Sequence, residues 1–187
     1  MKMKGGLFEM KTFLKYSGIL AAVIAIVGFI LMMTTPAFYL TSGDKTYYLT
    51  STQALFGEDV TSSISIITIN AGHINAVWSA TLGWILAMVG IIALLLGVIL
   101  PLLKVEKFAG LINLIALCAL LVGGVFVFMS QPCTFTLKGA SEPSNLYSDY
   151  KLNATWIIAA ILYIVAGILA ILPAAMDFIG GKKKKRK

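Results

Sequence analysis

Four stretches of this chain, residues 16–33, 80–103, 108–129 and 154–172, contain no Asp, Glu, Lys, Arg or His. A helix of about 17–25 residues crosses the ~30 Å hydrocarbon core of a bilayer. A water-soluble helix of that length would carry a polar stripe, and these four stretches have none. The pattern predicts four membrane spans, forming one all-α four-helix bundle as a single domain over residues 1–187.

The segments between spans change period. Residues 37–41 and 46–51 are β-branched and aromatic, and Ser42-Gly43-Asp44-Lys45 between them is a turn signal, so they predict a hairpin. Residues 53–57 form a short apolar element. Residues 62–70 alternate around Ile64, Ile66 and Ile69 and predict one further strand, as do residues 134–137 in the second long connection. The expectation is one small antiparallel β-sheet capping the extracytoplasmic end of the bundle.

Charge orients the spans. Lys2, Lys4, Lys11 and Lys15 precede the first span, Lys104 and Lys107 join the second to the third, and six basic residues follow the fourth. These places hold 12 of the 15 basic residues, whereas loops 34–79 and 130–153 hold three against five acids. Lysine excess marks the cytoplasmic side, so both termini are expected in the cytoplasm of a multi-pass protein of the cell membrane. Trp78, Trp84 and Trp156 all fall near the outer span ends, where amphipathic rings serve as interface anchors. The first apolar run is too long for the core of a secretory signal and is expected to be retained.

The basic run is Lys182, Lys183, Lys184, Lys185, Arg186 and Lys187. Directly beyond a membrane helix, each such charge attracts anionic lipid by up to about 1 kcal/mol. Anionic lipid at the cytoplasmic face is therefore an expected partner. Without interleaved aromatic residues the run does not predict nucleic-acid binding.

Small residues recur inside the spans at spacings of three and four. They are Gly18, Ala21, Ala25 and Gly28 in the first span and Ala80, Gly83, Ala87, Gly90 and Gly97 in the second. The third has Ala109, Asn113, Ala116, Leu120 and Gly123, and the fourth Ala159, Tyr163, Ala166 and Ala170. Such spacing keeps one helix face narrow, so backbones approach closely where lipid supplies no hydrophobic drive. Asn113 is expected to hydrogen-bond between helices. Spans two and four also align at an offset of 72: Trp84-Ile85-Leu86-Ala87 with Trp156-Ile157-Ile158-Ala159, and Ile99-Leu100-Pro101 with Ile171-Leu172-Pro173. A tandem duplication of one helix–loop–helix unit is expected, both copies starting on the same side.

Candidate chemistry is sparse. The spans hold no acid or base of the kind proton-coupled transport uses. Cys118 lies mid-span and Cys133 just outside it; read as helix, the 15 residues between them span roughly 22 Å, so the two are not expected to pair within the chain. Cys133 is therefore free or pairs between chains. His73 is the only histidine, and Asp44, Glu58, Asp59, Glu142 and Asp149 lack metal-loop spacing. No catalytic, metal or cofactor site is expected.

Four spans, both termini inside, a long multi-stranded first outer loop and a short second loop adding one strand together resemble the claudin-like tetraspan proteins. The resemblance implies a sheet-capped bundle suited to side-by-side or partner contacts. Loop 34–79 lacks the family's Trp, Gly-Leu-Trp and two-cysteine signature, so barrier function does not transfer with the layout. The expected function is that of a non-enzymatic structural or accessory subunit, associating with itself or another membrane protein. The alternative is a small oligomeric channel or exporter.

Overall fold

The computed structural model describes residues 3–64, 67–103 and 108–183, with side chains for 16–61, 71–101, 103 and 108–175. Four long helices dominate it: α1 (Met3–Thr34), α3 (Trp78–Leu102), α4 (Ala109–Phe128) and α5 (Ala154–Lys183), with a short α2 (Ser51–Phe56) between the first two. Each long helix contains a segment apolar and long enough to cross a membrane: Tyr16–Thr34, Trp78–Pro101, Ala109–Phe128 and Ala154–Ala175.

Two helices outrun their predicted spans. α1 begins 13 residues before Tyr16, and α5 continues ten residues beyond Pro173. A proline removes its own N–H and crowds one carbonyl a turn back, which an otherwise strong helix absorbs. Lys182 and Lys183 thus end α5, while the Lys104–Lys107 link and Lys184, Lys185, Arg186 and Lys187 lie outside the described residues.

The helices form a ring. α4 packs extensively against α3 and α5, α1 packs against α5, and α1 against α3 is the loosest side. α1 and α4 are diagonal partners, as are α3 and α5.

The strands form two sheets rather than the single sheet expected. The first has order β2-β1-β6, from β1 (Phe38–Ser42), β2 (Lys45–Leu49) and β6 (Lys151–Leu152). β1 and β2 pair antiparallel from Phe38↔Leu49 to Ser42↔Lys45, around a Gly43-Asp44 link in which Gly43 takes φ +60°. β6 joins β1 at Phe38↔Leu152, and Asn153 N–H donates to the Ala37 carbonyl at 2.9 Å. The second sheet has order β3-β4-β5, from β3 (Glu58–Ile64), β4 (Ile67–Ile74) and β5 (Phe135–Leu137). Residues 62–70, expected as one strand, instead contribute to two: 62–64 end β3 and 67–70 begin β4, paired antiparallel up to Ile64↔Ile67, while residues 65 and 66 lie outside the described residues. The isoleucine alternation continues from β3 into β4, with no Gly, Pro or Asn between Ile64 and Ile67 to mark a boundary. Asn75 clamps this sheet, its Nδ2 donating to Thr134 Oγ1 at 3.0 Å and Thr136 Oγ1 at 2.9 Å.

α2 ties the sheet segments to the bundle. Thr50 and Gln53 form a reciprocal capping box at its start. Buried Ser51 donates to the Met32 carbonyl at 2.7 Å and also meets the Thr35 carbonyl. At its other end Val77 N–H donates to the Ala54 carbonyl at 2.8 Å, and Thr81 Oγ1 to the Leu55 carbonyl at 2.6 Å. The C-terminal end of α1 is thereby fixed against the N-terminal end of α3.

Candidate functional site: the helix seams

Every small or polar position expected on the seams is buried: Gly18, Ala21, Ala25 and Gly28 on α1; Gly83, Ala87, Gly90 and Gly97 on α3; Asn113, Ala116 and Gly123 on α4; Ala159 and Ala166 on α5. The glycines show why. A Cβ on Gly83 would stand 2.7 Å from Val127 Cγ2 and 3.0 Å from the Gly123 carbonyl oxygen. On Gly90 it would meet Leu120 Cγ at 2.6 Å, and on Gly97 it would overlap Asn113 Oδ1. Gly28 closes α1 on α5 in the same way, 3.2 Å from Tyr163 Cε1 and 3.3 Å from the Ala159 carbonyl. Close backbone approach of this kind is how apolar helices gain packing without a hydrophobic drive.

Gly124, Ala160 and Gly167 lie on the seams without having been foreseen there. A Cβ on Gly124 would stand 2.8 Å from the Ala160 carbonyl, and one on Gly167 would stand 3.0 Å from Leu121 Cγ. Gly124 and Ala160 each follow a residue facing the other neighbour. Gly123 meets α3 and Gly124 meets α5; Ala159 meets α1 and Ala160 meets α4. Consecutive helical residues are 100° apart, and two neighbours in a four-helix ring are about 90° apart. Adjacent pairs of small residues were therefore the readable signal. One contact also recurs: Gly28 lies on Ala159 and Gly123 on Ala87, and Ala87 and Ala159 are 72 residues apart.

Large side chains close the interior. Tyr163, Leu94, Leu120, Met32 and Trp156 are fully buried, and the Tyr163 hydroxyl donates to Met32 Sδ at 3.8 Å. The outward faces are the reverse of a soluble protein's. Ile19, Val23 and Ile30 on α1, Ile85, Val89 and Ile92 on α3, Leu111, Ile115 and Val122 on α4, and Ile161, Val165 and Ile168 on α5 are all exposed. Contiguous apolar area on that scale marks a surface made for another apolar phase.

The tryptophans divide. Trp78 is 66% exposed and edge-on to Phe126 at 5.7 Å. Trp156 is 0% exposed beside Phe38, so it cannot reach a headgroup, and its assignment as an anchor is corrected to the core. Trp84 is half-buried between Phe29 and Phe56. The indole nitrogens of Trp84 and Trp156 are buried without a hydrogen-bond partner among the described residues. The proximity of all three to span ends does not distinguish these environments.

Outside the spans, His73 Nδ1 meets Asp59 Oδ1 at 2.8 Å across the β3–β4 pair, both side chains exposed. Solvent screening makes such a pair worth ~0–1 kcal/mol. Cys133 is free but buried, which removes it from pairing between chains in the folded protein, while Cys118 is exposed on α4. Burial pushes the Cys133 thiol up to about 11, against a smaller lowering by a backbone hydrogen bond. In a Cys118→Ala background, a water-soluble maleimide at pH 9 is expected to leave Cys133 unmodified until the protein unfolds. Rapid labelling of the folded protein would contradict this. Because the folded-state value is raised, the stability this thiol contributes is full below the ordinary thiol range and is lost as pH rises toward about 11.

No known protein family, characterised protein or solved structure matches this chain.

Proposed function

We propose that this chain is a multi-pass protein of the cell membrane that acts by contact rather than by catalysis, as a structural or accessory subunit. The observation that carries the proposal is its inside-out distribution of side chains. Glycine, alanine, Asn113 and Tyr163 fill the inside, while exposed Ile, Leu and Val cover the outside of all four helices. In water that exterior would aggregate; in a bilayer it is solvated by lipid, and seam packing holds the helices together. On this reading both termini are cytoplasmic, the two sheets form an outer cap, and the basic run at Lys182–Lys187 holds anionic lipid. The recurring Gly–Ala contact supports a duplicated hairpin. The likeness to claudin-like proteins remains one of layout, and a shared layout does not fix a function.

The close-packed axis leaves transport to assemblies of several chains. The test is crosslinking in native membranes followed by mass spectrometry. We expect a specific crosslinked neighbour, either a second copy or another membrane protein, through the sheets or outward helix faces. A chain recovered only as an uncrosslinked monomer, with ion flux after reconstitution into liposomes, would overturn the proposal.

A further inference from the structure

Between the first turn of α3 and the end of α4 the surface opens into a groove of about 310 Å3, whose lining includes Val77, Trp78, Ser79, Phe126, Gln131 and Thr134. Val77 starts α3 without a side-chain cap. The first intrahelical bond runs from Thr81 N–H to the Val77 carbonyl, so the N–H groups of Trp78, Ser79 and Ala80 have no helical acceptor. Ser79 adds a side-chain group to this helix end. It is 6% exposed, it lines the groove, and its hydroxyl has no hydrogen-bond partner among the described residues. Its oxygen stays open to the groove, where a partner can be supplied.

The chemistry of the missing partner follows from the donors. Backbone N–H groups at the positive end of a helix, with a hydroxyl among them, call for anionic oxygen. No lining side chain is charged, so such a group would be held by hydrogen bonds and the helix dipole rather than by ion pairing. The setting favours an anion that arrives on a hydrocarbon chain. Trp78 stands exposed at the rim against Phe126, and Leu82, Val122 and Val125 on the same two helices are exposed and apolar.

We propose that this groove binds the phosphodiester of a membrane phospholipid, with its acyl chains lying along the apolar faces of α3 and α4. The inference rests on the membrane reading of those helices. It places a lipid site at the end of the bundle opposite the basic run.

The test uses full-length protein in mild detergent, titrated by native mass spectrometry with dioleoylphosphatidylglycerol or with dioleoylglycerol, which has the same chains but no phosphodiester. Several-fold preference for the phosphatidylglycerol is expected. Ser79→Asp places a carboxylate where the helix terminus favours it but the phosphodiester is repelled, and should cut that binding about tenfold. Ser79→Ala, which removes one donor with least disturbance, should cut it about threefold. The basic run is unchanged in both variants, so lipid held there contributes equally. Equal binding of the two lipids, or binding unchanged in both variants, would overturn the inference. Displacement by millimolar inorganic phosphate would overturn the lipid source. Extraction of the protein from membranes by alkaline carbonate would instead overturn the membrane reading itself.

Discussion

Gly124→Val is expected to destabilise the folded bundle by about 2–3 kcal/mol, whereas Gly18→Ala should be neutral or slightly stabilising. Both residues are buried helical glycines, so hydropathy does not separate them. At Gly124 an added Cβ would stand 2.8 Å from the Ala160 backbone carbonyl and 2.8 Å from Ile164 Cγ1. The carbonyl belongs to the α5 helix and cannot rotate away, so α4 and α5 must move apart along a shared seam. Two further methyl groups in valine enlarge that displacement. At Gly18 the nearest atom is Val98 Cγ2 at 3.4 Å, an ordinary contact. Alanine there gains up to about 1 kcal/mol of helix propensity with nothing to push aside. Gly97 lies between the two, because the atom its Cβ would overlap is the end of the Asn113 side chain. Unfolding of purified protein by SDS titration in mild detergent reads all three. Wild-type stability in Gly124→Val, or an equal loss in Gly18→Ala, would show that the seam is not closed as described.

That contrast also marks how far the sequence could be read. The spans and seam positions were legible because both depend on local regularities, an absence of charge and a spacing of three and four. Gly124, Ala160 and Gly167 were not, because one stripe per helix describes a helix with one neighbour. In a ring each helix has two. Nothing in the hydropathy of α3, α4 or α5 reveals the second stripe, since these spans are apolar all round. The adjacent pairs Gly123-Gly124, Ala159-Ala160 and Ala166-Gly167 did carry the information. The sheets failed for a related reason. A hairpin is announced by its turn chemistry, which Ser42-Gly43-Asp44-Lys45 supplies and the isoleucine-rich stretch before Asn70 does not. The capping box of α2 was present as Thr50-Ser51-Thr52-Gln53, a helix start that apolar content alone obscured. The α3–α4 groove was beyond reach, because it depends on the fold bringing the first turn of α3 and Gln131 to the same place.

The largest single effect should come from Trp156, where burial and an orphaned donor pull in opposite directions. Trp156→Ala empties the space of a fully buried indole and is expected to cost about 3–5 kcal/mol. Trp156→Phe tests the two contributions separately. It forfeits part of the ring volume, at about 24 cal/mol for each Å3 left unfilled, which for a few tens of Å3 comes to about 1 kcal/mol. It also removes a buried N–H that has no acceptor, recovering a desolvation cost of about 1–3 kcal/mol. The sum lies between neutral and modestly stabilising, an unusual outcome for shrinking a core tryptophan. Trp84→Phe should follow the same rule, because its indole nitrogen is buried without a partner too. Trp78→Phe should leave stability unchanged, since that ring is largely exposed. If Trp156→Phe instead loses nearly as much as Trp156→Ala in the same SDS titration, the indole N–H has an acceptor in the folded protein. The end of the bundle between Phe38 and Met32 would then be a polar site rather than a packed one.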